Sequence, residues 1–455
     1  MKKMVTGELT AFLSLVFLLL ISLVGSVLES ASVQGMKNEK RADASRAAES
    51  VFAEYQRDLL EGYEIFALEA SYESGDMSES DILNRLAFYG AENMEIDMES
   101  VRYITDQNGQ EFYRQAVAYE KERTGAAAAE RLLGDLPVWR EQERQTEEYG
   151  KEEQRTKDSL NQILRGEAQG LPEEENPLKI VGEVRTGLLL DVVLPKGFDV
   201  SKKAVDRSRT VTGRELREGR GSLEGQSPGS GSAIFFNLYL AEKFGHAREK
   251  KEGTALDYEL EYLLAGKAAD AQNLEAAVKK ICALRFAANY TYILTDAAKK
   301  QEAGMLAMTL CTLLAAPEAA EVVKHAVLLA WAYGEGVMDV RALLAGKRVP
   351  LVKTEQTWQL SMAGLLTLNR PGGGRETADA KDGYTYEQYL QAMLFLCKKE
   401  VLTMRALDLV EQNIQVKEGK EFFKADACVT GAVFKIDCPM RRGIHYRFRT
   451  TYQYR

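Results

Sequence analysis

Glu335 and Asp339 stand four residues apart in the sequence. On a helix that spacing puts both carboxylates on one face, a turn from each other. Two neighbouring acids can divide the roles of general acid and general base. His325 and Arg341 lie nearby, and Gly334 and Gly336 flank Glu335. A glycine inside a helix costs about 1 kcal/mol relative to alanine, so close packing against another helix, or a kink, is expected there. In a helical bundle such acids more often pair with an arginine. No catalytic residue is therefore assigned. A membrane-tethered hydrolase that uses acids near Glu335 stands as the runner-up reading, and an anchored sensor or binding module as a third.

Other chemistries have less footing. The three histidines, His246, His325 and His445, have no metal-ligand spacing, so no metal site is expected. The five cysteines contain no CxxC pair and read as buried structural thiols. No serine nucleophile is assigned, and the glycine-rich stretch at 219–232 lacks the lysine of a phosphate-binding loop. No cofactor is expected. The net charge of −9 argues against a nucleic-acid partner, because such proteins show a basic footprint.

The elements that must position these residues are mostly helical. Only nine prolines occur in 455 residues, and apolar side chains recur at spacings of three and four over 233–362 and 384–413. The reading is an α+β protein, mostly α. An N-terminal transmembrane helix continues into a helical stalk, then come an extracytoplasmic helical bundle and a small C-terminal antiparallel sheet. The segments divide as 1–35 (anchor or pilin-like segment), 36–170 (stalk with a short strand), 171–232 (strand-containing linker region), 233–365 (bundle) and 366–455 (helix plus hairpin). In the stalk, Ala48, Val51, Phe52, Tyr55, Leu59 and Leu60 fall at helical spacing, a face that could pack on partner helices. Residues 140–165 are densely charged and read as a solvated helix. "KIVGEVRTGLLLDVVLP" reads as strand-like runs. At the end of the chain "IHYRFRTTYQYR" alternates, with Tyr446, Phe448, Tyr452 and Tyr454 on one face and Arg447 and Arg449 on the other, which is a strand pattern. Residues 428–455 form the expected β-hairpin, joined by a strand at 99–105.

The opening, "MKKMVTGELTAFLSLVFLLLISLVGSVLESA", carries no charge over residues 9–28. As a helix that run is about 30 Å long, the thickness of a bilayer's hydrocarbon core. Lys2 and Lys3 precede it, so the N-terminus is expected in the cytoplasm and the body outside. The expected state is a single-pass anchor in the cell membrane. Ser30-Ala31-Ser32 also fits a cleavage site, which would make the run a signal peptide.

A third use comes from "TGELTAF". The short basic leader ends at Gly7, is followed by Glu8 and passes at once into the apolar helix. This layout resembles prepilin-type processing, in which a peptidase cuts after such a glycine. In type IV pilins and Tad-type pseudopilins the fifth mature residue is glutamate; here it is Phe12. Together with "AEYQRDLLEGYEIFALEA", "ALDYELEYLLAGK", "LLAWAYGEGVMDVRALLAGKRVPLVKT", "TWQLS" and the β-rich tail, the chain resembles uncharacterised membrane-anchored bacterial proteins considered large relatives of TadE/TadG-like pseudopilins. That resemblance implies a non-enzymatic, extracytoplasmic protein with partners in Tad-type pilus assembly or secretion, and it supplies no catalytic residue.

Overall fold

The uncharged run and the stretch beyond it form one helix, α1 (Met4–Phe52), in the computed structural model, which describes residues 4–165, 176–223, 229, 231–313, 317–370 and 377–454. Its sequence holds no proline, and Gly25 and Gly35 face open space. Residues 9–28 are bare along their length, with Phe17 63% and Leu18 66% exposed. Among the described residues α1 alone is long and apolar enough to cross a bilayer.

From Ala44 the same helix changes role. Ala44, Ala47, Ala48, Val51 and Phe52 follow a three-four repeat, and each is at most 2% exposed. Alanine at three of the five positions lets the helix lie close against a sheet. That sheet is antiparallel and built from β1 (Leu68–Glu69), β2 (Glu95–Tyr103), β3 (Cys428–Pro439) and β4 (His445–Gln453). Strand β3 is central: β2 pairs with one edge, while β1 and β4 share the other. Register places Phe434 between Met98 and Thr450, and Ile436 between Ile96 and Phe448, so one face carries the apolar set. The alternation expected of the last strand holds. Phe448 and Tyr454 are buried and Tyr446 and Tyr452 half-buried, and the cover is α1. On the other face Arg447 pairs with Asp437 at 2.7 Å and Arg449 with Glu99 at 2.5 Å.

Of the expected stalk face, Ala48, Val51, Phe52 and Leu59 are therefore buried inside the chain, while Tyr55 is 39% exposed. The helix also stops earlier than its spacing suggests. The Tyr454 hydroxyl donates to the Phe52 carbonyl at 2.5 Å, and the Gln56 amide donates to the Ala67 carbonyl at 2.8 Å. These bonds turn the chain at 53–56, and α2 (Arg57–Tyr63) starts afresh, with Leu59 buried in a different core. Next comes α3 (Glu79–Leu86), which enters from Ser78 and packs on α1.

The second core is all helical. It gathers α4 (Asp106–Arg165), α5 (Pro177–Glu183), α6 (Leu189–Val193), α7 (Ser232–Lys243), α8 (Glu259–Ala265), α9 (Asp270–Ile293), α10 (Ala297–Leu313), α11 (Ala320–Leu344), α12 (Met362–Leu365), α13 (Tyr386–Leu396) and α14 (Lys399–Glu418). Helix α11 is its axis, buried nearly all round from Val323 to Leu344 and packed against α9, α10 and α4. The strand-like runs at 179–195 are helix instead. Asn176 caps the Leu178 amide at 3.0 Å and Pro177 sits at the first helical position, a start signal that short apolar runs do not reveal. The charged segment at 140–165 belongs to α4 and is solvated on one side only, since Gln142, Thr156 and Leu160 are buried. The single helix expected over 384–413 is two, because Cys397 and Lys398 are extended. At the start of α4, Gln107, Asn108 and Gly109 hold φ of 53°, 58° and 74°, a left-handed turn that leads from β2 into the helix. Part of the glycine-rich stretch, 224–228 and 230, lies outside the described residues.

The two faces of β4 give a direct test. In detergent-solubilised full-length protein, Phe448→Ala should lower the unfolding free energy by about 3–5 kcal/mol. Arg449→Ala, whose side chain is 67% exposed, should change it by no more than about 0.5 kcal/mol. Small, equal effects in urea titrations would mean that the strand is not packed on α1.

Candidate functional site

Glu335 and Asp339 do share a face of α11, and that face points inward. Both are fully buried, as is Arg285 of α9. Lys353 arrives from the irregular segment after α11 and stands between the two acids. Its Nζ lies 2.5 Å from Glu335 Oε1 and 2.7 Å from Asp339 Oδ1, and also donates to the Thr357 carbonyl at 3.0 Å. Arg285 Nε donates to Asp339 Oδ2 at 2.9 Å and its Nη1 to the Leu351 carbonyl at 2.9 Å. Asn289 adds a bond to Asp339 Oδ2 at 3.2 Å. The second Glu335 oxygen accepts from the Leu360 amide at 2.7 Å and the Gln359 amide at 3.2 Å.

Two carboxylates thus face two cations inside the protein, and every carboxylate oxygen is engaged. Burial raises the Glu335 carboxyl against the pull of Lys353. Burial opposes ionisation of Asp339 too, but Lys353 and Arg285 together hold it below the usual carboxylate range. Breaking such a set by removing one partner strands a buried charge. With no exposed atom to meet a substrate, the cluster ties segment 351–360 to α9 and α11.

The flanking glycines fit this role. A Cβ at Gly334 would come within 2.7 Å of Leu360 and Leu365, and one at Gly336 within 3.3 Å of the Cys282 carbonyl. The close packing expected at both is present. The other neighbours in sequence go elsewhere. His325 pairs with Glu152 at 2.9 Å, and Arg341 Nε donates to the Val192 carbonyl at 2.9 Å. Gly7 and Glu8 lie in the first turns of α1, where Glu8 is exposed.

The same device recurs where the sequence reading assigned nothing. Glu259 and Glu261 on α8 are buried. Glu259 accepts from the Gly245 amide at 2.7 Å and Asn413 Nδ2 at 2.6 Å. Glu261 accepts from the Ala247 amide at 2.9 Å and the Tyr386 hydroxyl at 2.8 Å, and its Oε2 has no partner. Burial pushes both up to about 7. Asp270 receives Ser201 Oγ at 2.6 Å and the Asp257 amide at 2.8 Å. Asp408 binds the Thr212 amide and hydroxyl, each at 2.7 Å. Glu411 binds Arg214 through both oxygens at 2.6 and 2.8 Å and accepts from the Ala425 amide at 2.7 Å. The available signal was the pair of glutamates inside the apolar run "YELEYLL", because charges in such a run are either exposed or matched.

Open space lies elsewhere. A cleft of about 1400 Å³ follows the end of α1 and the last residues of β4, lined by Phe52, Tyr55, Phe66, Arg114, Tyr452 and Tyr454 among others. It brings together aromatic surface and one arginine, with none of the buried carboxylates. One serine has a spacing that invites comparison: Gly225-Gln226-Ser227-Pro228-Gly229 has the GxSxG pattern. A nucleophile elbow needs a strand directly before and a helix directly after. Residues 214–223 are irregular apart from an isolated bridge at Arg220, and 224–228 lie outside the described residues. No group of three or more potential metal ligands occurs among the described residues.

The sequence matches a family of unknown function, DUF5702, over residues 167–440. That is more than half of the chain, which belongs to this family. The match contains Glu259, Glu261, Asp270, Glu335, Asp339, Asp408 and Glu411 and leaves out α1. No curated protein and no solved structure matches.

The raised carboxyl of Glu261 predicts a pH dependence. A folded value near 7 against about 4.3 unfolded means that the native state binds more protons between those limits, so this group's contribution to stability falls as pH rises through them. Buried His246, lowered by burial to about 4, acts in the opposite direction over part of the range. The difference between wild type and variant isolates Glu261. Relative to wild type, Glu261→Gln should gain stability to urea steadily from pH 5 to pH 7.5. A difference that stays constant with pH would contradict the assignment.

Proposed function

We propose that this chain is a non-enzymatic, membrane-anchored protein whose body sits outside the cytoplasm and serves Tad-type pilus assembly or secretion as a structural component. The observation that carries the reading is the division of labour along α1. One unbroken helix is bare and apolar over 9–28 and becomes part of the protein core from Ala44 onward. A bare apolar helix needs lipid, or the same helix of other copies, to cover it. Because its far half is a core element, force or position applied to the anchor passes straight into the body.

The pilus association rests on the resemblance of the Gly7-Glu8 layout and of the longer stretches to large pseudopilins. The orientation rests on Lys2 and Lys3, which stand close to the apolar run, whereas the first cation on the other side is Lys37. The buried acids around Glu335 support the structural reading, since their oxygens are committed to Lys353, Arg285 and backbone amides.

The test is N-terminal sequencing of the mature protein recovered from membranes. A start at Glu8 is the expected result for a pilin-type component. A start at Met1 would keep the anchor and remove the pilin-type step. A start at Val33 would mean that the apolar run is a discarded signal, and would overturn the anchored reading.

A further inference from the structure

The helix α1 serves as a ruler from the bilayer to the body. Lys37 follows Leu28, the last residue of the uncharged run, by nine positions, about 14 Å along the helix axis. Strand β4 lies beside α1 and runs in the same direction. The Tyr446 ring faces Lys37 at 5.3 Å and its hydroxyl accepts from Arg41 at 2.5 Å. Further on, Thr450 meets Ser45 at 3.3 Å and Tyr452 stacks on Phe52 at 4.4 Å. The start of β4, and with it the β3–β4 turn, therefore points toward the membrane. Ile444 precedes Tyr446 by two strand positions, about 7 Å, which leaves it about 7 Å from the hydrocarbon edge. The headgroup layer is about 5–7 Å deep on each side.

The chemistry of the turn suits that depth. Ile444 is 40% exposed with no core to cover it, Arg441 is exposed and Met440 is half-buried. The acid at its neck, Asp437, is already matched by Arg447 and His445 at 2.7 and 2.9 Å. Glu95, opposite Asp437 across the sheet in β2, is exposed at the same end and is the acid closest in register. Lys37 and Arg41 on α1 stand behind the turn, about 14 and 20 Å from Leu28 along the helix axis, where they hold Tyr446.

Building on the anchored reading of α1, we propose that the β3–β4 turn is a second membrane contact, in which Arg441 meets the phosphates of anionic phospholipids while Ile444 reaches the interfacial layer. One helix through a bilayer leaves the body free to tilt in any direction; a second contact off the axis fixes the tilt and the face of the body that turns toward the bilayer. The partner is the lipid surface of the leaflet that carries the body.

The test uses full-length protein in vesicles, with Cys397→Ser to remove the half-exposed thiol and a fluorophore at Ile444→Cys, at Val416→Cys as an exposed control on α14, or at Leu18→Cys within the apolar run. Quenching is measured with headgroup-labelled and chain-labelled lipid, in phosphatidylcholine alone and with 30% phosphatidylglycerol. The expected result is headgroup quenching at 444 at least threefold above that at 416, stronger with phosphatidylglycerol, and reduced at least twofold by Arg441→Glu. Quenching at 444 no greater than at 416, or equal in the two lipid mixtures, overturns the proposal. The Leu18→Cys label separates the readings: if chain-labelled lipid fails to quench it, the anchored reading itself falls, whereas quenching at 18 without quenching at 444 removes only the second contact.

Discussion

A carboxylate taken out of water must be answered by donors or cations, because an unmatched buried charge costs several kcal/mol. This protein uses that constraint as its main joint. Glu259, Glu261, Asp270, Glu335, Asp408 and Glu411 all sit on helices and all accept backbone amides from irregular segments. The segments so held, around 212, 245–247, 257, 359–360 and 425, have no ladder of their own to satisfy their amides. Each acid gives them a fixed address on the helical core. The cluster at Glu335 goes furthest, with Lys353 and Arg285 balancing two acids beneath a loop that threads back over α11.

The consequence for function is that the two acids singled out by their spacing, Glu335 and Asp339, have every carboxylate oxygen engaged. What remains available lies at the ends and on the surface: the bare half of α1, the turn between β3 and β4, and the aromatic cleft beside Tyr454. Irregular segments are pinned to helices in this body, and α1 enters it as a core helix whose last carbonyl is bonded by Tyr454. Both features suit a component that holds a position relative to a membrane or to neighbouring subunits.

Parts of this were legible in the sequence because they follow from one period or one count. The uncharged run of residues 9–28 fixed the exposed helix, and strict alternation from Ile444 to Tyr454 fixed β4 and its buried face. Gly334 and Gly336 were readable as close-packing sites because glycine inside a helix has a cost that needs a return. Other parts depended on partners distant in sequence. The stripe at Ala48, Val51 and Phe52 announces a buried face without saying what covers it, and the cover is a strand some 400 residues later. Residues 179–193 are apolar runs too short to separate strand from helix without the Asn176–Pro177 start. The pairing of Glu335 and Asp339 was visible, but Lys353 as the cation between them was not, since it comes from a loop with no period.

The charge cluster at Glu335 clamps segment 351–360 to α9 and α11. The clamp is tested by the unfolding free energy of Lys353→Met in full-length protein, set against that of Lys279→Met on α9, whose side chain is 50% exposed. Leaving Glu335 and Asp339 without their shared cation should cost about 3–5 kcal/mol, while the surface change should stay within about 0.5 kcal/mol. A Lys353→Met protein as stable as wild type would mean that there is no clamp, because the two acids would then have another way of being satisfied and would be free for other work.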